Sequence, residues 1–141
     1  MLTKQIKKAG GVVINKEGKI LVVAQRHNTW SLPKGGVEEG ETDLEAAQRE
    51  VYEESGVNEL EFVRFLVTYK RYKIGLDKND DNSELKDITL FLFRTNFDGE
   101  LKPIDSDNPE AKWVDRKEVS KILTNKIDGE VFDGLCKDLP F

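Results

Sequence analysis

"GGVEEGETDLEAAQREVYEESGV" (Gly35–Val57) places eight acidic residues in a stretch that otherwise reads as a tight turn followed by one helix. Thr42 with Glu45 three residues on is a capping-box pattern, and Gly56 stands where a left-handed residue ends a helix running through about Ser55. At about 100° per residue, Leu44, Ala47, Val51 and Ser55 share one face, while Glu50, Glu53 and Glu54 fall in an adjoining arc of roughly 100°. One stripe is made to pack; the other is acidic. The i, i+3, i+4 spacing brings the three carboxylates together, and like charges so placed destabilise a helix by roughly 0.2–0.5 kcal/mol per pair. Arg49 stands one turn from both Glu45 and Glu53 and relieves part of that repulsion, whereas the side carrying Glu50 and Glu54 has no cation from the helix itself. Two readings follow. One is a solvated acidic face, the commoner condition of glutamates on a surface helix. The other is a seat for a hard divalent cation, Mg²⁺ with Mn²⁺ as the alternative, which suits carboxylate oxygens and shares its shell with substrate phosphates.

Outward from this helix, "GGVVIN" and "KILVVAQR" are β-branched runs flanking the turn-forming "NKEGK", which predicts a hairpin with strands near 10–15 and 19–26. "HNTWSLPKGG" reads as a loop, since Pro33 and the Gly35-Gly36 pair break regular structure. Two further strands are expected at about 60–72 and 87–97, with apolar residues in both phases and hence burial on both sheet faces. Residues 73–86 between them read as a polar, acidic loop. "EAKWV" after Pro109 reads as a short last strand with Trp113 in the core. "DRKEVSKIL" offers Asp115 as N-cap with Glu118 three residues on, and "DGEVFDGLCKDL" sets Val131, Phe132, Leu135 and Cys136 at helical spacing. Helices covering a mixed sheet are the expected architecture, α/β in class.

Composition bounds the function. The 141 residues, 38% hydrophobic and 35% charged, suit one domain over 1–141 with a single core. A net charge of −5 argues against a general nucleic-acid binder, which needs surplus lysine and arginine to neutralise a phosphate backbone. With Cys136 the only cysteine, no disulfide or thiolate metal cluster forms within the chain. The basic "MLTKQIKKAGGVVI" has too short an apolar run for a signal peptide, and no run of about 18 apolar residues spans a membrane. A cytoplasmic location is expected, and oligomeric state is not written in the sequence.

Gly35, Glu41, Arg49, Glu50, Val51, Glu53, Glu54, Gly56 and Val57 together spell G-x5-E-x7-R-E-U-x-E-E-x-G-U, with U aliphatic. This pattern resembles the Nudix box at every specified position. Chance agreement of its seven fixed letters in a chain this size has odds on the order of one in a million. The resemblance implies a Nudix α/β/α sandwich with a mixed β-sheet and a catalytic loop-helix-loop. It also implies attack by water on phosphorus in a nucleoside diphosphate linked to another group, with metal ions neutralising phosphate oxygens and activating the water. Carried over from the motif, Glu50, Glu53 and Glu54 are metal ligands, and the backbone carbonyl of Lys34 completes the shell. Glu50 is also a candidate base, while Arg49 and Glu41 orient the helix carboxylates. Some members take the base from a later loop, for which Glu84, Asp87, Asp105, Asp107 and Glu110 all stand open.

"RHNTWSLPKGGVEEGE" is similar to the W-x-x-P-K-G…E-x-G-E lead-in of diadenosine polyphosphate hydrolases. Such enzymes pair cations with a long phosphate chain and aromatic rings with adenine. "YKRYK" (Tyr69, Arg71, Tyr72 and Lys73 within it) offers both, Lys34 and Arg26 add phosphate contacts, and Trp30 or His27 stands beside the base. Trp30 reads equally as a packing anchor, and each residue of "YKRYK" as a solvated strand end. In "DKNDDNSE", Asp77, Asn79 and Asp81 begin with EF-hand spacing, but Asn82 replaces the required glycine and Ile88 the bidentate glutamate, so calcium is rejected. Dinucleoside polyphosphates are the leading substrate class and nucleoside triphosphates, oxidised ones included, the alternative. A non-catalytic nucleotide-sensing domain would have lost the helix carboxylates, which are all present.

Overall fold

The computed structural model describes residues 2–25, 28–104 and 110–140. Among the described residues seven strands form one mixed sheet: β1 (Lys4–Ile14), β2 (Ile20–Gln25), β3 (Thr29–Ser31), β4 (Lys34–Gly36), β5 (Glu61–Ile74), β6 (Asp80–Arg94) and β7 (Glu110–Val114). The helices are α1 (Asp43–Ser55), α2 (Val119–Ile122) and α3 (Lys126–Cys136), with a 3-10 turn at Arg116–Glu118 leading into α2. The sheet order is β3-β2-β1-β6-β5, with β4 pairing β1 and β7 pairing β2. β1 runs parallel to β6 from Lys4/Glu84 to Ile14/Arg94, and the other pairs are antiparallel.

Alternation along β1 and β6 divides the core into two layers. Val12, Ile14, Ile88, Leu90 and Leu92 face α2 and α3, meeting Val119, Leu123 and Phe132. Ala9, Val13 and Phe93 face α1, meeting Ala46, Ala47 and Val51. This is the helix-sheet-helix sandwich expected, because a sheet that is apolar on both faces must be covered on both.

Several boundaries differ from the sequence reading. Residues 73–86 are not a loop: β5 and β6 continue as a hairpin and only 75–79 turn. The polar residues hold strand geometry because both neighbours supply a ladder, β5 from Asp80 and β1 from Glu84, which stands opposite Lys4; Lys7, opposite Asp87 in register, turns its ammonium to Asp43 at 3.0 Å instead. Within the turn and just after it, Asp77 and Asp81 accept from the backbone N–H groups of Asn79 and Ser83, so these carboxylates cap local backbone. β5 is not buried on both faces, since it is the sheet's edge: Phe62 is 46% and Phe65 51% exposed, their rings set edge-on against Phe91. The "HNTWSLPKGG" segment contains the short strands β3 and β4, which pair β2 and β1. Asp115 makes no side-chain cap, because the chain there enters a 3-10 turn. Asn125 instead caps α3, accepting from the N–H groups of Ile127 and Asp128. Trp113 is half-buried at the margin of the α1-side core.

Candidate active site

Helix α1 begins and ends where its sequence dictates. Thr42 accepts from the Glu45 N–H at 3.1 Å while the Glu45 carboxylate accepts from the Thr42 N–H at 2.9 Å. Gly56 closes the helix in the left-handed region at φ 82°, and a Cβ there would stand 2.6 Å from the Lys102 carbonyl oxygen. Ala46, Ala47, Val51 and Ser55 are buried against the sheet, which turns the acidic stripe toward β4.

Arg49 organises that stripe. Its Nε donates to Glu41 Oε2 at 2.7 Å, and Nη2 donates to Glu41 Oε1 and the Gly36 carbonyl, both at 2.9 Å. Nη1 donates to Glu50 Oε1 at 2.8 Å and Glu53 Oε1 at 3.1 Å. The expectation that Glu50 lacks a cation from its own helix is therefore corrected. Helical spacing alone pairs Arg49 with Glu45 and Glu53, but the guanidinium fork bridges neighbours that lie off the i+4 line. The hydrogen bonds from Arg49 hold Glu41 down at a pKa of about 2, and those to Glu41 raise Arg49 further. Burial pushes the Glu50 carboxyl above its ordinary range against the pull of Arg49.

Glycine makes the approach of Glu50 possible. A Cβ on Gly35 would lie 2.0 Å from the Glu50 carboxyl carbon, so the side chain occupies the room that glycine leaves. Gly36 has no neighbour within 4 Å of such a Cβ, and its contribution is the carbonyl that Arg49 grips. Glu54 is buried at 4% exposure, and its Oε1 accepts the Lys34 N–H at 2.9 Å. Two α1 carboxylates are thus locked to the same short strand, β4, by contacts made in three dimensions.

The Lys34 side chain lies on the other face. It stands opposite Gly10, which shares its phase in β1 with Lys8, Val12 and Ile14. Burial lowers its pKa to about 8 despite Asp128 nearby. Arg71 is 3% exposed, and its Nε donates to Asp128 Oδ1 at 2.7 Å, where the Tyr69 hydroxyl also donates at 2.6 Å. Burial pushes the Asp128 carboxyl up, but Lys34, Arg71 and these hydrogen bonds outweigh it and leave the group below its ordinary value. Burial beside Asp128 raises the Tyr69 phenol in turn.

A NUDIX domain model matches residues 4–135. The chain belongs to the Nudix family. It is 28% identical over 137 residues to an RNA pyrophosphohydrolase of Bartonella clarridgeiae, covering 82% of this chain and 79% of that protein. Among solved structures, the Ap4A hydrolase of C. elegans in a binary complex superposes with a TM-score of 0.74 at 20% identity, covering 94% of this chain and 96% of the other. The dihydroneopterin triphosphate pyrophosphohydrolase of E. coli superposes with a TM-score of 0.77 at 17% identity, covering 99% and 100%. At those identities the likeness is one of fold. As a member of the Nudix pyrophosphohydrolases, the chain is an enzyme acting on acid anhydrides.

Nudix hydrolases generally use divalent metals, and the donor set of this Nudix domain suits one: three carboxylates on adjoining positions of a single helix, with Glu50 seated in the space over Gly35. Among the described residues no three acidic groups already converge on one point, because Arg49 draws Glu50 and Glu53 while the Lys34 N–H draws Glu54.

The remaining sequence candidates are dispersed. "YKRYK" divides between faces: Tyr69 and Arg71 pair with Ile88 and Lys86 on the α3 side, whereas Lys70 and Tyr72 pair with Asp87 and Leu85 in the opposite phase. Lys73 follows an irregularity in register and faces Asp81. Trp30 packs against the α3-side core with the Lys112 ammonium 4.5 Å above its ring, and its backbone N–H donates to Thr124 Oγ1, which is the anchor geometry. Glu84 lies opposite Lys4, Glu110 is exposed at the start of β7, and Asp87 Oδ1 is buried without a hydrogen-bond partner among the described residues. Arg26, His27, Asp105 and Asp107 lie outside the described residues.

Sequence reasoning missed Lys8, Lys86 and Asp128. The two lysines were detectable in principle, since Lys8-x-Gly10-x-Val12 and Lys86-x-Ile88-x-Leu90 each continue a buried strand phase with a cation. Asp128 carried no such signal, being one aspartate among several near a helix start.

Proposed function

We propose that this Nudix enzyme hydrolyses the phosphoanhydride chain of nucleoside-diphosphate-linked substrates in the cytoplasm with Mg²⁺, and that dinucleoside polyphosphates are its substrate class. The supporting observation is the arrangement around β4: the acidic stripe of α1 touches this strand, while the Lys34 side chain carries positive charge to the opposite face. Glu50, Glu53 and Glu54 are the metal-holding side chains, joined by the Lys34 carbonyl. A divalent ion held there supplies charge neutralisation at phosphate oxygens and a water of lowered pKa. Glu50, with its raised carboxyl pKa and its contact to Arg49, is the base in this reading. Arg49 holds Glu41, Glu50 and Glu53 in one fan, so the carboxylates meet the substrate already oriented.

A second reading, removal of pyrophosphate from a triphosphorylated RNA 5′ end, is favoured by the similarity to an RNA pyrophosphohydrolase. It shares the polyphosphate chemistry and differs in what lies beyond the first nucleoside. A panel of diadenosine polyphosphates, nucleoside triphosphates, ADP-ribose, sugar nucleotides and a 5′-triphosphorylated oligoribonucleotide, assayed with Mg²⁺ and resolved by chromatography, tests both. Highest kcat/KM on the dinucleotides supports the proposal. Preference for the RNA end replaces it with the second reading, and no Mg²⁺-dependent turnover on any member removes both.

A further inference from the structure

Only one of the three residues of β4 carries a side chain. Gly35 leaves the room that Glu50 fills, Gly36 offers its carbonyl to Arg49, and Lys34 alone reaches away from α1, toward α3. The strand is short, with three ladder positions on β1 and one further backbone bond just before it, from the Gly11 N–H to the Pro33 carbonyl at 3.1 Å. All three of its residues take contacts from α1, since Glu54 accepts the Lys34 N–H at 2.9 Å. Whatever holds β4 from the opposite layer has to act through the Lys34 side chain.

Helix α3 supplies a group that can. Asn125 caps the helix and sets Asp128 in its first turn, where it is 3% exposed. Oδ1 of Asp128 accepts from Arg71 Nε at 2.7 Å and from the Tyr69 hydroxyl at 2.6 Å, whereas Oδ2 is buried with no hydrogen-bond partner among the described residues. Lys34, 6% exposed, makes no direct ion pair among the described residues. Burial disfavours charge on both groups; among the charges around them, Asp128 acts most strongly on Lys34 and Lys34 most strongly on Asp128, although Arg71 is the cation that touches the carboxylate. Arg71 and Lys8 repel the same ammonium, so Asp128 is what favours its place beneath α3. Charges withdrawn from water attract across such a gap far more than they would in solvent.

We propose that Asp128 is a positioning residue of the active site, which from α3 draws the Lys34 side chain inward and so braces β4 against the pull of α1. The effect reaches the acidic stripe through the backbone, because the residue so held is the one whose N–H fixes Glu54 and whose carbonyl is read above as part of the metal shell. The inference rests on that metal reading and adds to it a residue that touches neither metal nor substrate. Two carboxylates thus hold Lys34 from opposite layers, Glu54 by its backbone and Asp128 by its side chain.

The test reads β4 directly, in the full chain. Asparagine keeps the shape of Asp128 without its charge, so in metal-free Asp128→Asn the Lys34 amide should exchange its hydrogen about tenfold faster than in wild type by NMR, well beyond any change at Val51 in α1. Mn²⁺ affinity, measured by electron paramagnetic resonance, should fall about tenfold in the same variant. Lys34→Met should do both, and the double variant should lose little more than either single one, as for the two ends of one interaction. Tyr69→Phe takes a hydrogen bond from Oδ1 and leaves both charges, so it should lower the denaturation midpoint while Lys34 exchange, relative to Val51, and Mn²⁺ affinity stay close to wild type. If folded Asp128→Asn and Lys34→Met exchange and bind as wild type does, or if their losses multiply in the double variant, Asp128 does not brace β4. Losses in Tyr69→Phe equal to those in Asp128→Asn would make the role one of folding alone and overturn the proposal. Should Asp128→Asn fail to fold, Lys34→Met decides by the same two measurements. Wild type that binds no Mn²⁺ removes the metal reading, and the exchange rates then decide the brace by themselves.

Discussion

At the residue scale, the site is a set of side chains each held by a different partner. Glu50 is placed by the absence of a side chain at Gly35, and Glu54 by a backbone N–H. Gly35→Ala therefore sets a Cβ against the far end of a flexible side chain, which can swing away at little cost to folding but not without leaving its place. The expected result is turnover reduced roughly 10–100-fold with a nearly unchanged denaturation midpoint. Equal losses of activity and stability would show that Gly35 serves the fold instead. Glu53→Gln and Glu54→Gln remove charge while keeping shape, so each should cut Mg²⁺-dependent hydrolysis on the order of 100-fold or more with intact circular dichroism. Full activity in both variants would refute their assignment as metal ligands.

At the element scale, α1 must be fixed at both ends for its acidic stripe to meet β4. The reciprocal cap at Thr42 satisfies two backbone donors, and Thr42→Ala should cost about 1 kcal/mol in urea unfolding. Gly56→Ala should cost more, at least about 1–2 kcal/mol, since it adds left-handed strain to a clash with the Lys102 carbonyl. A smaller effect at Gly56 than at Thr42 would mean that the loop carrying Lys102 yields. Element boundaries also show the limits of local reading. Both ends of α1 are encoded within a few residues, so its span was legible. The extension of β6 into "DDNSELKD" was not, because a polar strand is stabilised by its neighbours, β1 among them, whose partner residues stand eighty positions earlier in the chain (Lys4 opposite Glu84).

At the scale of the whole molecule, buried charge shapes stability against pH. Glu41, held down to about 2 by Arg49, and Asp128, also lowered, contribute stability above their ordinary carboxylate range that is lost as pH falls through the folded values. Lys86 acts oppositely. Its pKa falls from 10.5 to about 7 on folding, so the unfolded chain binds more protons between those values and stability rises with pH across that window. Thermal melts without phosphate should therefore show Tm still increasing above pH 7, and Lys86→Met should flatten that rise while raising Tm at pH 6. A Tm for Lys86→Met below wild type at pH 6 would mean that the lysine is paired.

The sequence by itself determined the family, the helix with its caps, the acidic stripe and the sandwich of helices on a mixed sheet. Each of these rests on spacing within one segment, and periodicity and capping act between residues a few places apart. Only the tertiary structure decided which charges meet. Arg49 reaches Glu41 and Gly36 across a turn, "YKRYK" is divided between two faces, and Lys8, Lys34 and Lys86 converge from three strands. Strand register sets those meetings, and register is fixed by pairing between distant segments, which no single stretch of sequence contains.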